Sequence, residues 1–475
     1  MGIPINGRIA IVEDKFEHAY PLMELFGRMQ YPFTYYNGDL TGLPEEGKAC
    51  NDIRILFLDI YLTGDEIRTE KEIKANILPR LNRIISENNY PYVLIYWSRH
   101  EDEHSSLIEN IFQNELKIKA PIHYMSLCKS DYFELTGEKT INHEENITYL
   151  ISRIEKALSL FPVFNYLLEW ENIIHISADN VLEEIFKTRE NQTEWDNNSK
   201  KLFYELGLSF AGKNLKNLEP IEQIRSALYV MNCVFNDSLE HSIANKFLVE
   251  CEKDTTQNKS GNSEILFSLN KKLLLSDDVS NKYIPGTIYR SISGKHKYGE
   301  ILNFSINRNY LFAKDQKNIC EKLKEIIEEN VLKKEKKKIE VDILKKFKEE
   351  IQKDWVLVEV NVSPICDFVQ DKLIYFRIIP GMLINSKYSE FIHRDSEALY
   401  LSPSFKLSSA SNDNYFLLLD FRFFTSIGKD EINDSVQPLF RIRQNLLTEI
   451  QSKLSHHINR QGLLYLEANE RNKIY

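Results

Sequence analysis

The chain contains no run of 18 consecutive apolar residues, so no membrane-spanning helix is expected. Its opening stretch, MGIPINGRIAIVEDK, lacks a basic segment followed by a long apolar one, and no secretory signal is expected either. Gly2 invites a lipid-anchor reading, but Asn6 stands where that motif needs Ser or Thr. The six cysteines (Cys50, Cys128, Cys233, Cys251, Cys320 and Cys366) form no Cys-x-x-Cys pair. That argues against a disulfide framework or a zinc finger and for reduced thiols in a cytoplasmic protein. An excess of basic charge is also missing. Lys and Arg number 60 against 70 Asp and Glu, a net charge of −10, so nonspecific nucleic-acid binding is not expected. Absent as well are GxGxxG, Walker A, HExxH and GxSxG motifs and a helix-turn-helix with a basic recognition face.

What is present is an ordinary globular composition. Hydrophobic residues make up 43% and charged residues 27% of 475, enough chain for about three domains. Up to residue 160, strand and helix patterns alternate. Arg8–Val12, Phe33–Tyr36, Ile53–Leu58, Tyr92–Trp97 and Ile122–Leu127 read as strands, the apolar ones without alternation. Phe16–Met29, Glu70–Glu87 (with Pro79 a kink), Ser105–Leu116 and Glu144–Leu158 carry helical periodicity. Apolar strands separated by helices imply a doubly wound, five-stranded parallel sheet covered on both faces, an α/β domain over residues 1–160.

Residues 161–255 read as a helical domain, and 264–475 as an α+β domain. Glu252–Ser263 is polar and unpatterned, a linker or exposed loop. Ile265–Leu269, Thr287–Ile292, Leu302–Ile306, Trp355–Val362, Tyr375–Ile379 and Tyr415–Thr425 read as strands, and Gly462–Leu466 as a final one. Asn318–Lys353 reads as one or two lysine-rich helices whose KKEKKK run is a solvated face or, less simply, a basic contact surface. Pro438–Gly462 reads as an amphipathic helix from Leu439 to Ile458, with His456 and His457 as charges near its C-terminal end. Tyr283–Gly286 (YIPG) and Ile378–Gly381 (IIPG) are read as generic Pro-Gly turns.

In an open parallel sheet, ligands bind beyond the carboxyl ends of the strands. Here those ends carry Glu13-Asp14, Asp59, Ser98 and Cys128-Lys129. Three carboxylates on one rim repel one another, and a hard divalent cation such as Mg²⁺ relieves that repulsion while keeping several waters. An Asp beside such an ion can become an aspartyl phosphate, with an ammonium and a hydroxyl to hold the phosphoryl oxygens.

In this order, and with the LDIYLTG segment around Asp59, residues 8 to about 160 resemble the receiver domain of two-component response regulators, a flavodoxin-like fold. The resemblance implies Asp59 as phosphoacceptor, with Mg²⁺ held by Asp14 and Asp59, by Glu13 through water and by the Tyr61 carbonyl. It implies Ser98 as the switch hydroxyl and Lys129 as the phosphoryl-sensing ammonium. The implied partners are a histidine kinase or phosphotransfer protein and a downstream effector protein. The chain departs from the family where Asp59–Ser98 and Ser98–Lys129 are more widely spaced, where Arg99 replaces a small residue, where Ser130 replaces Pro, and where Ser126 replaces an aromatic.

Val358–Lys372 contains Cys366 and Asp367, either a thiolate and base of a small site or a buried cysteine and a turn-capping aspartate. This stretch and Pro438–Gly462 are similar to C-terminal regions of receiver-containing proteins of bacterial defence-type operons, which implies a setting in antiviral defence. The leading expectation is a cytoplasmic phosphoacceptor that acts through protein contacts rather than a dedicated enzyme. The alternatives are a non-phosphorylated scaffold and a receiver-gated enzyme with a site near Cys366-Asp367.

Overall fold

The structure, a computed structural model, describes residues 8–62, 69–98, 101–136, 139–142, 144–187, 194–246, 263–291, 296–323, 329–407, 413–432 and 436–459. The chain divides into two compact units, Met1–Lys201 with Met231–Lys253, and Leu202–Val230 with Asp254–Tyr475.

The first unit opens β1 (Ile9–Val12), α1 (Phe16–Arg28), β2 (Phe33–Tyr36), β3 (Ile55–Leu58), α2 (Glu70–Ile84), β4 (Val93–Ser98), α3 (Glu101–Asn114) and β5 (His123–Cys128). The five strands form one parallel sheet in the order β2-β1-β3-β4-β5. Every residue of β1, β3 and β4 is buried, because each strand packs on both sides. Ala10, Val12, Leu56, Leu58, Leu94 and Tyr96 meet Ile73, Ile77 and Leu81 of α2 and Ile108 and Phe112 of α3. The alternate residues Ile9, Ile11, Ile55, Phe57, Ile95 and Trp97 meet Leu22, Leu25 and Phe26 of α1 on the other face.

A hairpin that the sequence reading missed, β6 (Phe133–Thr136) and β7 (Lys139–Asn142), follows β5. Then α4 (Glu144–Ser159) and α5 (Pro162–Phe186) add Leu150, Ile154, Leu158, Phe164 and Leu168 to the α1 side. Glu171 of α5 takes Arg54, just before β3, through Nε and Nη2 at 2.8–3.2 Å, and Arg8, just before β1, at 3.4 Å. No α-helix lies between β2 and β3. The chain there makes only a 3₁₀ turn, Leu40–Gly42, tied to α2 by Arg80, which donates to the Gly38 carbonyl, and by Arg83, which donates to the Leu40 carbonyl. Helices α6 (Trp195–Ala211) and α7 (Pro220–Lys246) each run across the division between the units.

The second unit holds α8 (Ser263–Leu274), β8 (Leu275–Ser276), β9 (Thr287–Arg290), α9 (His296–Ser305), α10 (Arg308–Lys314), α11 (Gln316–Leu323), α12 (Glu329–Asp354), β10 (Val356–Asn361) and α13 (Ile365–Val369). It continues with β11 (Tyr375–Asn385), β12 (Leu399–Leu401), β13 (Phe405–Lys406), β14 (Asn414–Asp420), β15 (Thr425–Gly428), β16 (Pro438–Ile442) and α14 (Gln444–Ile458). The antiparallel sheet runs β12-β14-β11-β10-β9-β16-β8, with β13 on β14 and β15 on β11. Leu446, Leu447 and Ile450 of α14 cover one face, and Tyr298, Ile301 and Leu302 of α9 with Ile351 of α12 cover the other.

Four sequence expectations are corrected here. Ile265–Leu269 is helical, and its Ile265, Leu266 and Leu269 are exposed, which a buried strand would not allow. Leu302–Ile306 falls in α9 up to Ser305, whose Tyr298, Ile301 and Leu302 recur at helical steps. Leu439–Ile458 is β16 followed by α14, broken at Arg443, whose backbone is extended. Tyr415–Thr425 is not one strand: the Asp420 carboxylate accepts the Arg422 N–H and turns the chain into a 3₁₀ turn before β15.

The Pro-Gly pairs also separate. Tyr283–Gly286 lies in a turn, whereas Ile378–Gly381 lies inside β11. Gly381 is needed there because an added Cβ would sit 2.2 Å from the Leu418 carbonyl oxygen of β14. Of the remaining expectations, the polar stretch 252–262, the strand expected at 462–466 and Arg99 lie outside the described residues. Gly381→Ala is expected to destabilise the second unit by about 3 kcal/mol, as overpacking against backbone does. Denaturant unfolding checks this, with an unchanged midpoint counting against the packing described.

Candidate functional site

The parallel register builds the rim. Val12 lies beside Leu58, Leu58 beside Tyr96, and Ser98 beside Cys128, so the residues that follow β1, β3 and β5 emerge together at one edge with the end of β4. The ladder continues one step beyond the strands, with Glu13 N–H donating to the Tyr36 carbonyl at 3.0 Å and Asp59 N–H to the Val12 carbonyl at 2.9 Å. Carboxylate oxygens of Glu13, Asp14 and Asp59 therefore lie within 4.8 Å of one another.

Into this group reaches Lys129, which is 2% exposed. Its Nζ pairs with Glu13 Oε2 and with Asp59 Oδ2, the latter at 3.0 Å. Asp59 Oδ1 accepts the Tyr61 N–H at 3.2 Å, which fixes the carboxylate plane. Glu13 Oε1 accepts the Lys15 N–H at 3.2 Å and lies 3.7 Å from His18 Nδ1. The Tyr35 hydroxyl donates to the Glu13 carbonyl at 3.0 Å. Ser98 is buried at the end of β4.

The electrostatics follow from one ammonium among three carboxylates. Burial raises the Glu13 carboxyl well above its usual range, the charge of Asp59 raises it further, and Lys129 opposes both. For Lys129, burial alone would lower the ammonium, but the charges of Asp59 and Glu13 and the hydrogen bonds to them carry it above its ordinary value. Lys129 is therefore a fixed cation. With all three carboxylates ionised the set carries three negative charges against one positive, and its donors are hard oxygens. That composition suits a metal ion of the oxygen-seeking class.

All five residues expected at strand ends, Glu13, Asp14, Asp59, Ser98 and Lys129, stand at this rim. Tyr61 is half-buried just beyond Asp59, with its ring 5.8 Å from that of His104. Ser126 lies beside Tyr96 on β4, and the Tyr96 ring stacks on Tyr124 at 6.1 Å, so that face keeps its aromatic rings at neighbouring positions. Sequence reasoning missed His18, although it stands beside the inward-facing series Ala19, Leu22, Leu25 and Phe26 of α1, the one polar signal on that face. Trp97 Nε1 donates to the His18 carbonyl at 3.3 Å and links α1 to β4.

Elsewhere, Cys366 is exposed, with its Sγ 3.8 Å from Asp367 Oδ1 within the short α13. His456 and His457 occupy the last turn of α14. Lys333, Lys334 and Lys336–Lys338 of α12 face solvent. Among the described residues no helix is long and apolar enough to cross a membrane. The chain matches no family model, no curated protein and no solved structure.

Lys129→Met leaves Glu13 and Asp59 buried without their counter-charge. It is expected to destabilise the metal-free protein by about 3–5 kcal/mol, with much of the loss recovered in Mg²⁺. Denaturant unfolding with and without Mg²⁺ measures both. A loss indifferent to the ion would remove Lys129 from the acidic cluster's charge balance.

Proposed function

We propose that the first unit is a flavodoxin-like receiver and that the protein is a phosphoacceptor of a bacterial two-component-type signalling system. The observation that carries the reading is the buried Lys129 ammonium shared by Glu13 and Asp59 at the carboxyl edge of a parallel sheet ordered β2-β1-β3-β4-β5. A lone buried ion pair is common, but a buried ammonium that faces two carboxylates beside a third is a poor structural device. Its desolvation is costly, and apolar residues would pack the same space.

The residues fit Mg²⁺, with Asp14 and Asp59 as direct ligands, Glu13 through water, and the Tyr61 carbonyl. When bound, the ion neutralises charge on the phosphoryl oxygens. The chain supplies the rest. An Asp59 carboxylate oxygen attacks the phosphorus of a phosphohistidine on a histidine kinase or phosphotransfer protein. The O–P bond forms as the N–P bond breaks, and the imidazole departs with the electron pair and takes up a proton. Lys129 pairs with one phosphoryl oxygen and the Ser98 hydroxyl donates to another, which is positioning and charge cancellation rather than covalent help.

The regions beyond the receiver serve contact with a downstream effector protein. A role in defence against phage accords with the resemblance of the C-terminal stretches and stands as part of the proposal.

Incubation with acetyl phosphate and Mg²⁺ is expected to add one phosphoryl group, seen by intact mass and mapped to Asp59. Asp59→Asn should add none. A phosphoryl group mapped to another residue, or wild-type protein that never takes one up, would sink the reading.

A further inference from the structure

The turn between α9 and α10 in the second unit gathers positive charge that no anion answers. Asn303 Oδ1 accepts from Arg308 Nη2 at 3.2 Å and from Lys348 Nζ of α12 at 2.5 Å. Among the described residues neither cation pairs with a carboxylate. Elsewhere in the same unit such pairs are made: Lys297 with Glu359, Lys314 with Glu390, and Arg422 with Asp420. In a chain with 70 acidic residues against 60 basic ones, a carboxylate in place of Asn303 would be the simpler structural solution. The arrangement that stands there has a cost. Burial lowers the Lys348 ammonium below its ordinary value, and the charge of Arg308 lowers it further.

The same contacts orient further donors. Arg and Lys can only donate, so the Asn303 amide turns its oxygen to them and its NH₂ group away. Asn307 is oriented likewise, because its Oδ1 accepts the Tyr310 N–H at 3.1 Å and caps α10. These two amides, the Arg308 guanidinium, Asn309 and His393 line an open cavity of about 320 Å³, with the half-exposed Phe304 as an apolar wall. Among the described residues no acidic side chain lines it. An antiparallel bridge sets the walls: Asn307 N–H donates to the Phe391 carbonyl and His393 N–H to the Ser305 carbonyl, both at 2.8 Å.

We infer that this cavity binds a small phosphomonoester, its phosphoryl group taken by Arg308 and the Asn303 and Asn307 NH₂ groups, its organic body lying along Phe304. Two positive charges match a phosphomonoester, which carries about −1.5 to −2 at neutral pH. A guanidinium fork takes two of its oxygens at once. A carboxylate brings only one charge to the same two cations. The cavity exceeds a bare phosphate ion and stands at the small end of ligand sites. Lys348 supplies the second charge through Asn303 rather than by contact. The site belongs to the second unit alone and stands whether or not Asp59 accepts a phosphoryl group.

Titration calorimetry of the full chain with phenyl phosphate, in EDTA to exclude Mg²⁺, is expected to show one site. Arg308→Gln should weaken it by about tenfold or more, the worth of a charge-assisted contact, and Lys348→Met by about threefold. Binding should be unchanged in Asp59→Asn and in a variant of the exposed Lys337, Lys337→Met. Without ligand, Arg308→Gln and Lys348→Met should unfold at the wild-type denaturant concentration or above it, since each relieves a repulsion. A midpoint lowered in both variants would make the pair structural and overturn the inference. So would phenyl phosphate that fails to bind, that binds Arg308→Gln as tightly as wild type, or that is lost in Asp59→Asn. Benzoate binding as tightly as phenyl phosphate would remove the phosphoryl assignment, and inorganic phosphate doing so would remove the organic body.

Discussion

A buried charge must be answered by another charge, and in the first unit that requirement settles where three of the five strands end. Lys129 cannot remain inside without Glu13 and Asp59, and they cannot crowd together without it. The residues lie on β-strand ends that are far apart in sequence, so the balance exists only when β1, β3 and β5 are in register with β4 between β3 and β5. A slip of one residue in any of these strands would turn a carboxylate or the ammonium toward an apolar layer. The polar rim and the two apolar cores therefore specify the same arrangement, and the rim discriminates against alternatives that the cores alone would tolerate.

The second unit obeys a steric constraint instead. Its long central strand β11 carries Pro380 and Gly381 in its interior, where a sheet ordinarily excludes both. The Leu418 carbonyl occupies the space a Cβ would fill, and β14 can approach because glycine leaves that space open. Next to it, Asp420 is wholly buried and holds Arg422 through two hydrogen bonds at 2.7 and 2.9 Å, with the guanidinium over the Phe304 ring. The turn that ends β14 is thus built by a charge pair, and the strand's core by a missing side chain.

Much of the first unit was legible because its signals are local and redundant. IAIV, ILFL and VLIYW are apolar without alternation, which a sheet covered on both faces explains, and each is followed by a residue with chemistry, Glu13, Asp59 and Ser98. Less was legible where the same composition serves two structures. ILFSL is equally apolar as helix or strand, and its exposure, which decides the matter, is a property of the folded chain. Arg443 carries no breaker signal, yet the chain changes there from strand to helix because β16 must pair with β9. Pro-Gly in β11 reads as a turn until the neighbouring strand is known. Within the candidate site, the acidic residues and Lys129 were visible from their strand-end positions, but His18 was not, because a histidine among apolar residues of a helix does not announce what it faces.

The ion cluster has an inverse at the other end of the same two strands. At the carboxyl ends of β1 and β3, one cation sits between two anions. At their amino ends one anion, Glu171 of α5, sits between two cations, Arg8 and Arg54. The pair of strands is consequently a strut pinned at both tips by charges of opposite pattern, and α5 is fastened to the tip farthest from Asp59. One carboxylate satisfies both arginines, so the starts of β1 and β3 and the 25-residue helix α5 are joined through a single group, and loss of Glu171 would leave both guanidinium groups without that partner.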